Sequence, residues 1–524
     1  MHTRLLIAKG AAPGGGRLVA KGTAYVRRRP LVEKGGAYVR RGLLVAILLG
    51  AFPAASIAAP VVVLGHSGHV VRRDDPFLTT PALPPTPSRT PMTALRAAPM
   101  APLRAVIADR TVGGELARLL AQHAITPAGY RRYRAGFDAA LRAVRRLRGT
   151  RATELQAVIG NLHAIAAGGQ LTVSRLPVLF ETLRRNLQWW TTASLPSSGQ
   201  RIEFAGSELV WEYYAGQGIE LQELGSFGKA DGLYAAGASK YPQMRRLLAE
   251  LIPFGAIRGG GLTWEYYFNF DGGSPPWTSA ISQGTALEAL TRAYKAFGDR
   301  SYLAIARRAL PVFAAAAPVG VSVRTSLGAR YLLYSFAPAP GSAVINGFLQ
   351  SLIGLYDYAQ ASHNAHAARL FALGDAEAQA DVPRYDTGAW SLYQPGQEDT
   401  LDYHKLVTGF LHELCARTHA RVYCTTAGHF DHYLQTVPSI DLLTHRVQAG
   451  RPGSIAFRLS KYSHVGIVVQ GHGQTALFTS GYFPYGESRV SLPPLTHRGK
   501  YTVRLAATDL AGNFHRTVAT LQAS

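Results

Sequence analysis

Apolar positions along the chain follow two different periods. From about Thr111 they recur every three or four residues, as in Leu116, Leu119 and Leu120 and again in Phe137, Leu141, Val144 and Leu147, which predicts amphipathic helices studded with Arg. Leu287, Leu290, Ala293 and Tyr294 form a later stripe, and Phe348, Leu349, Leu352, Ile353 and Tyr356 another, so the block from about Gln200 to Pro438 alternates helices with loops rich in Gly and aromatic residues. After about Ile440 the period drops to two: Ile455, Phe457 and Leu459 alternate with Ala456, Arg458 and Ser460, and Tyr501, Val503 and Leu505 repeat the pattern between Gly- and Pro-rich turns. The C-terminal part therefore reads as a β-sandwich, and its ending, Tyr501 to Asn513, is similar to the last strand and turn of bacterial immunoglobulin-like or fibronectin-like modules.

Neither period holds near the start. Arg40-Arg41, the apolar run Gly42 to Phe52 and the small residues Ala54, Ala55, Ser56, Ala58 and Ala59 follow the order of a secretory signal, with cleavage expected after about Ala58 and an uncleaved anchor as the alternative. Residues 60–103 are Pro-rich and read as an extended tether. The expected organisation is a basic region and signal over 1–59, a linker over 60–103, an Arg-rich helical region over 104–196, a mainly α domain of paired helices, an (α/α) toroid, over 197–438, and an all-β module over 439–524.

With 55 Lys+Arg against 32 Asp+Glu among 524 residues, the formal charge is +23, which attracts nucleic acid, anionic lipid and acidic polysaccharide alike. An exported chain does not meet nucleic acid, so no nucleic-acid partner is expected; Arg131, Arg132, Arg134, Arg142, Arg145, Arg146 and Arg148 are a polyanion face or a solvated helix surface. Cys415 and Cys424 suit a local disulfide only if a helix end or turn falls between them, because nine residues of unbroken helix would hold them apart. No metal site is expected: His412, Glu413, His429 and His432 match no recognised ligand set.

Aromatic residues crowd four loops of the helical block: Trp211 to Gly218, Trp264 to Trp277, Tyr331 to Tyr334, and Arg384 to Tyr393 running on to His404. Rings in loops, where helical packing does not require them, with polar groups between them, suit a carbohydrate cleft, since a sugar ring offers one apolar face and a hydroxyl edge. Four segments resemble the C-terminal catalytic domain of the D-glucuronyl C5-epimerase family: Arg384-Tyr-Asp-Thr-Gly388, Ser391-Leu-Tyr393, Asp402-Tyr-His404 and the earlier Asn346-Gly-Phe to Asp357. Trp277 to Ala286, with its Gln283-Gly284 pair, and Arg292-Ala-Tyr294 look like one of that family's helices.

The resemblance implies inversion of C5 in a hexuronic acid within a polysaccharide, D-glucuronate to L-iduronate, by removing a proton on one face and delivering one on the other. It implies no cofactor, and an acidic, uronate-containing glycan as partner; a cell-surface or secreted location and a homodimer are compatible with it. By motif position Tyr393 and Tyr403 are the proton-transfer pair, with His404, Arg384, Trp277, Gln283, Glu265, Tyr266 and Arg258 as substrate-binding residues. Two departures matter. Where the family carries Glu-Tyr this chain has Ser335-Phe336, so Tyr334 would have to supply the missing phenol; and the loop Gln394 to Thr400 lacks the family's Arg-His anchor, leaving Arg258, Lys229, Arg330 or Arg384 for the uronate carboxylate. A toroid-fold polysaccharide lyase, a glycoside hydrolase using Glu265 and Asp271, and a non-catalytic glycan-binding protein remain the alternatives.

Overall fold

The computed structural model describes residues 58–79, 110–336 and 343–524. The signal expected over 1–59 falls almost wholly outside these residues, as does the Pro-rich stretch 80–103. Four helices open the main body, α1 (Val112–Ala121), α2 (Pro127–Arg146), α3 (Thr150–Ala167) and α4 (Leu176–Thr192). Thr111 and Thr126 begin the first two by accepting the N–H of Gly114 and Gly129, the usual device for an otherwise unsatisfied helix start. Most of the Arg side chains of α2 face solvent.

Residues 60–79, expected to be part of a tether, instead form a hairpin of β1 (Ala58–Leu64) and β2 (Val70–Thr79), which joins β3 (Arg201–Phe204), β4 (Trp211–Tyr214) and β5 (Gly218–Leu221) in a sheet ordered β2-β1-β3-β4-β5. The physical reason is a partner distant in sequence: Lys229 Nζ lies 3.1 Å from Asp75 and 2.9 Å from Glu203, so charges expected in a solvated tether are buried and neutralised. The helices of the Arg-rich region share one apolar core with this sheet and with the helices up to Tyr433.

Nine helices follow among the described residues, eight of them as pairs: α5 (Glu223–Ala235) with α6 (Tyr241–Leu251), α7 (Ala280–Phe297) with α8 (Ser301–Ala309), which the short α9 (Pro311–Ala314) extends, α10 (Ile345–Ser362) with α11 (Ala365–Asp381), and α12 (Leu401–Thr418) with α13 (Arg421–Tyr433). One member of each pair lies inside, α7 packing on α5 and α10, and α10 on α12, while α6, α8, α11 and α13 lie outside. Glycine sets the closest approach: a Cβ on Gly284 would fall 2.7 Å from the carbonyl oxygen of Gln350, and one on Gly354 only 2.1 Å from that of Gly284. At the C-terminal ends of the inner helices, Arg292 bridges Asp231 and Glu288, and Arg417 grips Asp357 with two 2.7 Å bonds.

Small hairpins connect the pairs: β6 (Ala256–Arg258) with β7 (Gly261–Thr263), β8 (Ser322–Arg324) with β9 (Ala329–Tyr331), and β10 (Leu392–Gln394) with β11 (Gln397–Glu398). From Ile440 the chain builds two sheets. One holds β12 (Ile440–Leu442), β14 (Gly453–Leu459) and β17 (Gly486–Leu492); the other, ordered β13-β19-β18-β15-β16, holds β13 (Arg446–Val447), β15 (Ser463–Gly471), β16 (Gln474–Phe483), β18 (Gly499–Asp509) and β19 (Phe514–Ala523). The alternating residues of the sequence pattern, Ile455, Phe457 and Leu459 from one sheet and Val465, Ile467, Val503 and Leu505 from the other, fill a core of their own.

Lys461 fastens this sandwich to the helices. Its buried ammonium pairs with Asp509 at 2.6 Å, donates to the carbonyls of Tyr433 (2.8 Å) and Thr436 (2.5 Å), and lies 5.3 Å from the centre of the Trp390 ring. Cys415 and Cys424 form a disulfide across the α12–α13 turn, where His419 takes the left-handed conformation that ends α12.

Two outcomes follow. Replacing both Cys415 and Cys424 by Ser lowers the unfolding free energy of the oxidised full chain by about 2–3 kcal/mol, the entropy of closing so short a loop, as measured in denaturant titrations. Lys461→Met leaves Asp509 buried without its cation, which costs about 3–5 kcal/mol and shows as a lowered Tm.

Candidate active site

The inner helices α5, α7, α10 and α12 all present their N-terminal ends to one region. Leu224 near the start of α5, Ile281 in α7 and Val344 just before α10 pack there with Tyr214, Tyr266, Phe268, Trp277 and Tyr334, in a cluster separate from the main core. Helix N-termini carry partial positive charge, so their convergence favours an anion in front of them. The rings interlock: Trp277 stacks on Tyr266 at 4.3 Å and meets Tyr334 edge-on at 5.5 Å, while Phe336 lies parallel to Tyr334 at 5.3 Å. The Phe270–Gly273 turn closes one side through reciprocal backbone bonds, with Asp271 and Gly272 both at positive φ as a two-residue hairpin turn requires.

Three tyrosines meet at this wall. Tyr393, half-buried in β10, lies 5.0 Å ring-to-ring from Tyr403, which is buried in the first turn of α12. Tyr334 is close enough that both raise its phenol pKa. Burial is the main cause of the upward shift in all three; for Tyr403 the charges of Tyr393, Asp399 and Glu212 add to it, and for Tyr393 those of Asp399 and Asp271. All three are therefore neutral phenols in the free protein. Because each tyrosine of the 393–403 pair opposes ionisation of the other, one charge at a time is the favoured state.

Beneath the pair runs a chain of hydrogen bonds whose proton positions follow from its ends. His404 Nε2 lies 2.9 Å from the carbonyl oxygen of Phe430, which only accepts, so Nε2 carries the proton. Nδ1 then accepts, consistent with the backbone N–H of Ser391 pointing at it from 3.3 Å. The Ser391 hydroxyl lies 2.7 Å from Nδ1 and 2.5 Å from Asp399 Oδ2: it donates to Asp399 when that carboxyl is ionised, and when it donates to Nδ1 instead the Asp399 contact is a bond only with a proton on the carboxyl. Burial favours the neutral form of both groups, pushing Asp399 up to about 7 and His404 down to about 4. The His404 ring stacks 3.8 Å from Trp390, the ring that faces Lys461.

The Pro395-Gly396 turn links β10 to β11, Gly396 supplying a positive φ. Glu398 at its far side accepts the backbone N–H of Tyr462 and of Tyr485, both at 3.0 Å, which ties the Tyr393 hairpin to the sandwich. Burial raises Glu398 to about 7 against the opposing effect of those two bonds.

Tyr393, Tyr403, Tyr334, Trp277 and Tyr266 come together here, Tyr266 with its hydroxyl 2.7 Å from Ser282. The remaining predicted binding residues are corrected to structural or distant roles. Glu265 is enclosed by Arg175 (2.7 and 2.9 Å), Arg258 (2.7 Å) and the Tyr267 hydroxyl (3.0 Å), which leaves it no free face for a sugar and no place as a hydrolase carboxylate. Arg258 spends its other donors on the carbonyls of Pro276, Pro318 and Val319, and Gln283 bonds the backbone of Trp264 through both ends of its amide. His404 has both nitrogens engaged and no exposed surface. Arg384 projects into solvent beside Asp381, and Arg330 pairs with Asp381 and Tyr385. With Lys229 held by Asp75 and Glu203, each cation considered as carboxylate anchor is committed elsewhere or outward.

Ser391, Asp399 and Glu212 are the residues sequence reasoning missed. Ser391 and Asp399 were within the quoted segments, but only the fold brings them to His404, 13 and 5 positions along the chain. His429 and His412 pair with Asp386 (2.9 Å) and Asp431 (2.6 Å); among the described residues no three His, Cys, Asp or Glu side chains gather as a metal site.

Residues 259–432 match the family described as D-glucuronyl C5-epimerase C-terminus. The D-glucuronyl C5-epimerase of Caenorhabditis elegans is 36% identical over 131 residues, 23% of this chain and 21% of that protein. The uncharacterized protein MJ1128 of Methanocaldococcus jannaschii is 30% identical over 137 residues, 25% of this chain and 44% of that one. The matched part of the chain thus spans between about a fifth and under half of the length of these relatives. Among solved structures, a sugar epimerase from a ruminal bacterium aligns with a TM-score of 0.30 at 14% identity over 41% of this chain and 59% of its own. Cellobiose 2-epimerase from Bacillus thermoamylovorans aligns with a TM-score of 0.28 at 11% identity over 41% of this chain and 58% of its own. Residues 259–432, which contain Trp277, Tyr334, Tyr393 and Tyr403, are thus the part of the chain that is similar to the C-terminal part of the D-glucuronyl C5-epimerase family.

Proposed function

We propose that this protein is a carbohydrate epimerase that inverts C5 of a hexuronic acid, D-glucuronate to L-iduronate, within an acidic polysaccharide. The observation that carries the reading is the Tyr393–Tyr403 pair, 5.0 Å apart at the N-terminal ends of the inner helices, within the family-matched segment. In this reading the paired helices close as an (α/α) toroid around the site, the sandwich is immunoglobulin-like, and the chain is exported to act at or near the cell surface.

A C5–H beside a carboxylate is a weak carbon acid, and its removal spreads negative charge onto the carboxylate oxygens. The helix ends in front of the tyrosines stabilise that charge in place of the Arg-His anchor this chain lacks. One tyrosine of the pair acts as phenolate and removes the proton from one face; the other acts as phenol and delivers a proton to the opposite face. Mutual repulsion, which permits one ionised phenol and not two, is what such a division of labour requires. Tyr334, stacked on Phe336, supplies the third phenol where the family places Glu-Tyr. A neutral Asp399 keeps a negative charge away from Tyr393, and burial, with the neighbouring Glu398, favours that neutral form against the Ser391 hydrogen bond.

NMR of a glucuronate-containing polymer incubated with the protein in D2O tests the reading: deuterium at C5 together with iduronate signals is expected. Tyr393→Phe and Tyr403→Phe should each lower the exchange at least about 100-fold, the usual worth of a positioned proton-transfer group. An unsaturated uronate product would mean a lyase instead, and binding without exchange a glycan-binding protein.

The second outcome concerns pH. Asp399 ionises as pH rises through about 7, placing charge beside Tyr393, so kcat/KM should fall above that pH and Asp399→Asn, which still donates to Ser391, should flatten the fall. For stability, a carboxyl with a raised folded-state pKa binds more protons when folded than unfolded between the ordinary carboxylate range and about 7, so it subtracts stability as pH rises through that window. Thermal melts of Asp399→Asn should therefore lose less between pH 5 and pH 8 than those of the parent protein; an equal loss would show that Asp399 is already ionised.

A further inference from the structure

We propose that the outer face of the five-stranded sheet is a second binding site, one that holds an acidic polysaccharide chain and leads it to the Tyr393 hairpin. The chemical class of the ligand rests on the function proposed above. The site itself rests on strand register, exposure and charge.

Antiparallel pairing sets outward residues in rows across the sheet. His464 stands opposite Tyr482 on β16 and Thr508 on β18, which in turn faces Phe514 on β19. Two residues further along, Gly466 lies between Ser480 and Ala506, three small residues, and Arg516 on β19 ends that row. Beyond it Val468 lies between Phe478 and Arg504, and Arg504 faces Val518. The face is therefore a shallow saddle with aromatic rims, and the rims are open to solvent: Phe478 is 75% exposed, Tyr482 62% and Phe514 58%. At about 3.4 Å per residue the four positions from Phe478 to Tyr482 set the rims about 13–14 Å apart, a span that a chain of sugar rings covers and a single sugar does not. Flat apolar rims flanking a polar trough suit pyranose rings stacked on their apolar faces.

Charge selects an acidic chain. Arg504 and Arg516 point outward from this face, Arg504 with its guanidinium held by Gln470, whereas β15, β16, β18 and β19 contain a single carboxylate, Asp509, which is buried against Lys461. A face with cations and no outward acid attracts polyanions, and it repels a second copy of a chain whose net charge is +23.

Continuity with the active site gives the face its direction. Tyr482 stacks on Tyr462 at 5.5 Å, and the backbone N–H of Tyr462 bonds to Glu398, five residues from Tyr393 on the same hairpin. A polymer lying on the saddle thus ends beside the tyrosine pair.

The full chain carrying Tyr393→Phe, which binds without turning over, is titrated by calorimetry with a glucuronate–N-acetylglucosamine polymer, with the hexasaccharide of the same repeat, and with a neutral glucan of matched length. The acidic polymer should bind at least tenfold more tightly than the hexasaccharide. Phe478→Ala with Tyr482→Ala, and separately Arg504→Gln with Arg516→Gln, should each remove most of that advantage and lower the polymer-to-hexasaccharide ratio of kcat/KM at least fivefold in the Tyr393 background. An advantage that survives both pairs of changes, equal binding of the neutral glucan, or a loss that tracks a monomer–dimer shift in sedimentation velocity would overturn the proposal. The two readings separate cleanly: C5 exchange on the hexasaccharide with an insensitive polymer affinity sinks the platform alone, and a sensitive polymer affinity without any C5 exchange sinks the epimerase alone.

Discussion

The tyrosine wall rests on one buried hydrogen-bond chain, Asp399, Ser391 and His404. Phe430 fixes the tautomer of His404 from one side, and the Ser391 hydroxyl then faces two acceptors, Nδ1 and Asp399, which it serves together only when the Asp399 carboxyl carries a proton. Were Asp399 ionised, its charge beside Tyr393 would add to burial and to Asp271 in holding the phenol protonated. The hairpin that carries Tyr393 is thus built around a carboxyl that burial keeps neutral, and burial depends on Trp390 covering His404 and on Lys461 covering Trp390.

That dependence explains why the sandwich is more than an appendage. Lys461 and Asp509 are an ion pair taken out of water, which by itself adds little stability, but Lys461 also satisfies two carbonyls at the end of α13 and caps the Trp390 stack. Glu398 makes the reverse connection, from the hairpin to the backbone of Tyr462 and Tyr485. Losing either contact would disturb both units, since each satisfies groups that the other leaves exposed to a low dielectric.

The inner helices settle the question of the missing anchor in a similar way. Arg258, Lys229 and Arg330 each sit within bonding distance of a buried or half-buried carboxylate, and moving any of them to a substrate would leave that carboxylate uncompensated. Four helix N-termini facing the tyrosines supply positive potential without a mobile side chain, while the ion pairs of Arg292 and Arg417 tie the opposite ends of the same helices together.

What the sequence determined by itself is what is local. Apolar period marks the helices and the change to strands after Ile440; the aromatic loops mark the site region; and the motif segments mark Tyr393 and Tyr403, because each of these signals is carried by neighbours along the chain. The tertiary structure decided everything that depends on burial and on partners far apart in sequence. Glu265 and Arg258 look like binding residues until Arg175, 90 positions away, is found across from the carboxylate. Asp74-Asp75-Pro76 looks like part of an extended tether until Lys229 draws Asp75 into the core and residues 60–79 into a sheet. Asp399 looks like an ordinary acid until the fold buries it against Ser391 and beside Glu398. A charge's role is set by its dielectric surroundings and by what faces it, and neither is written in the residues next to it.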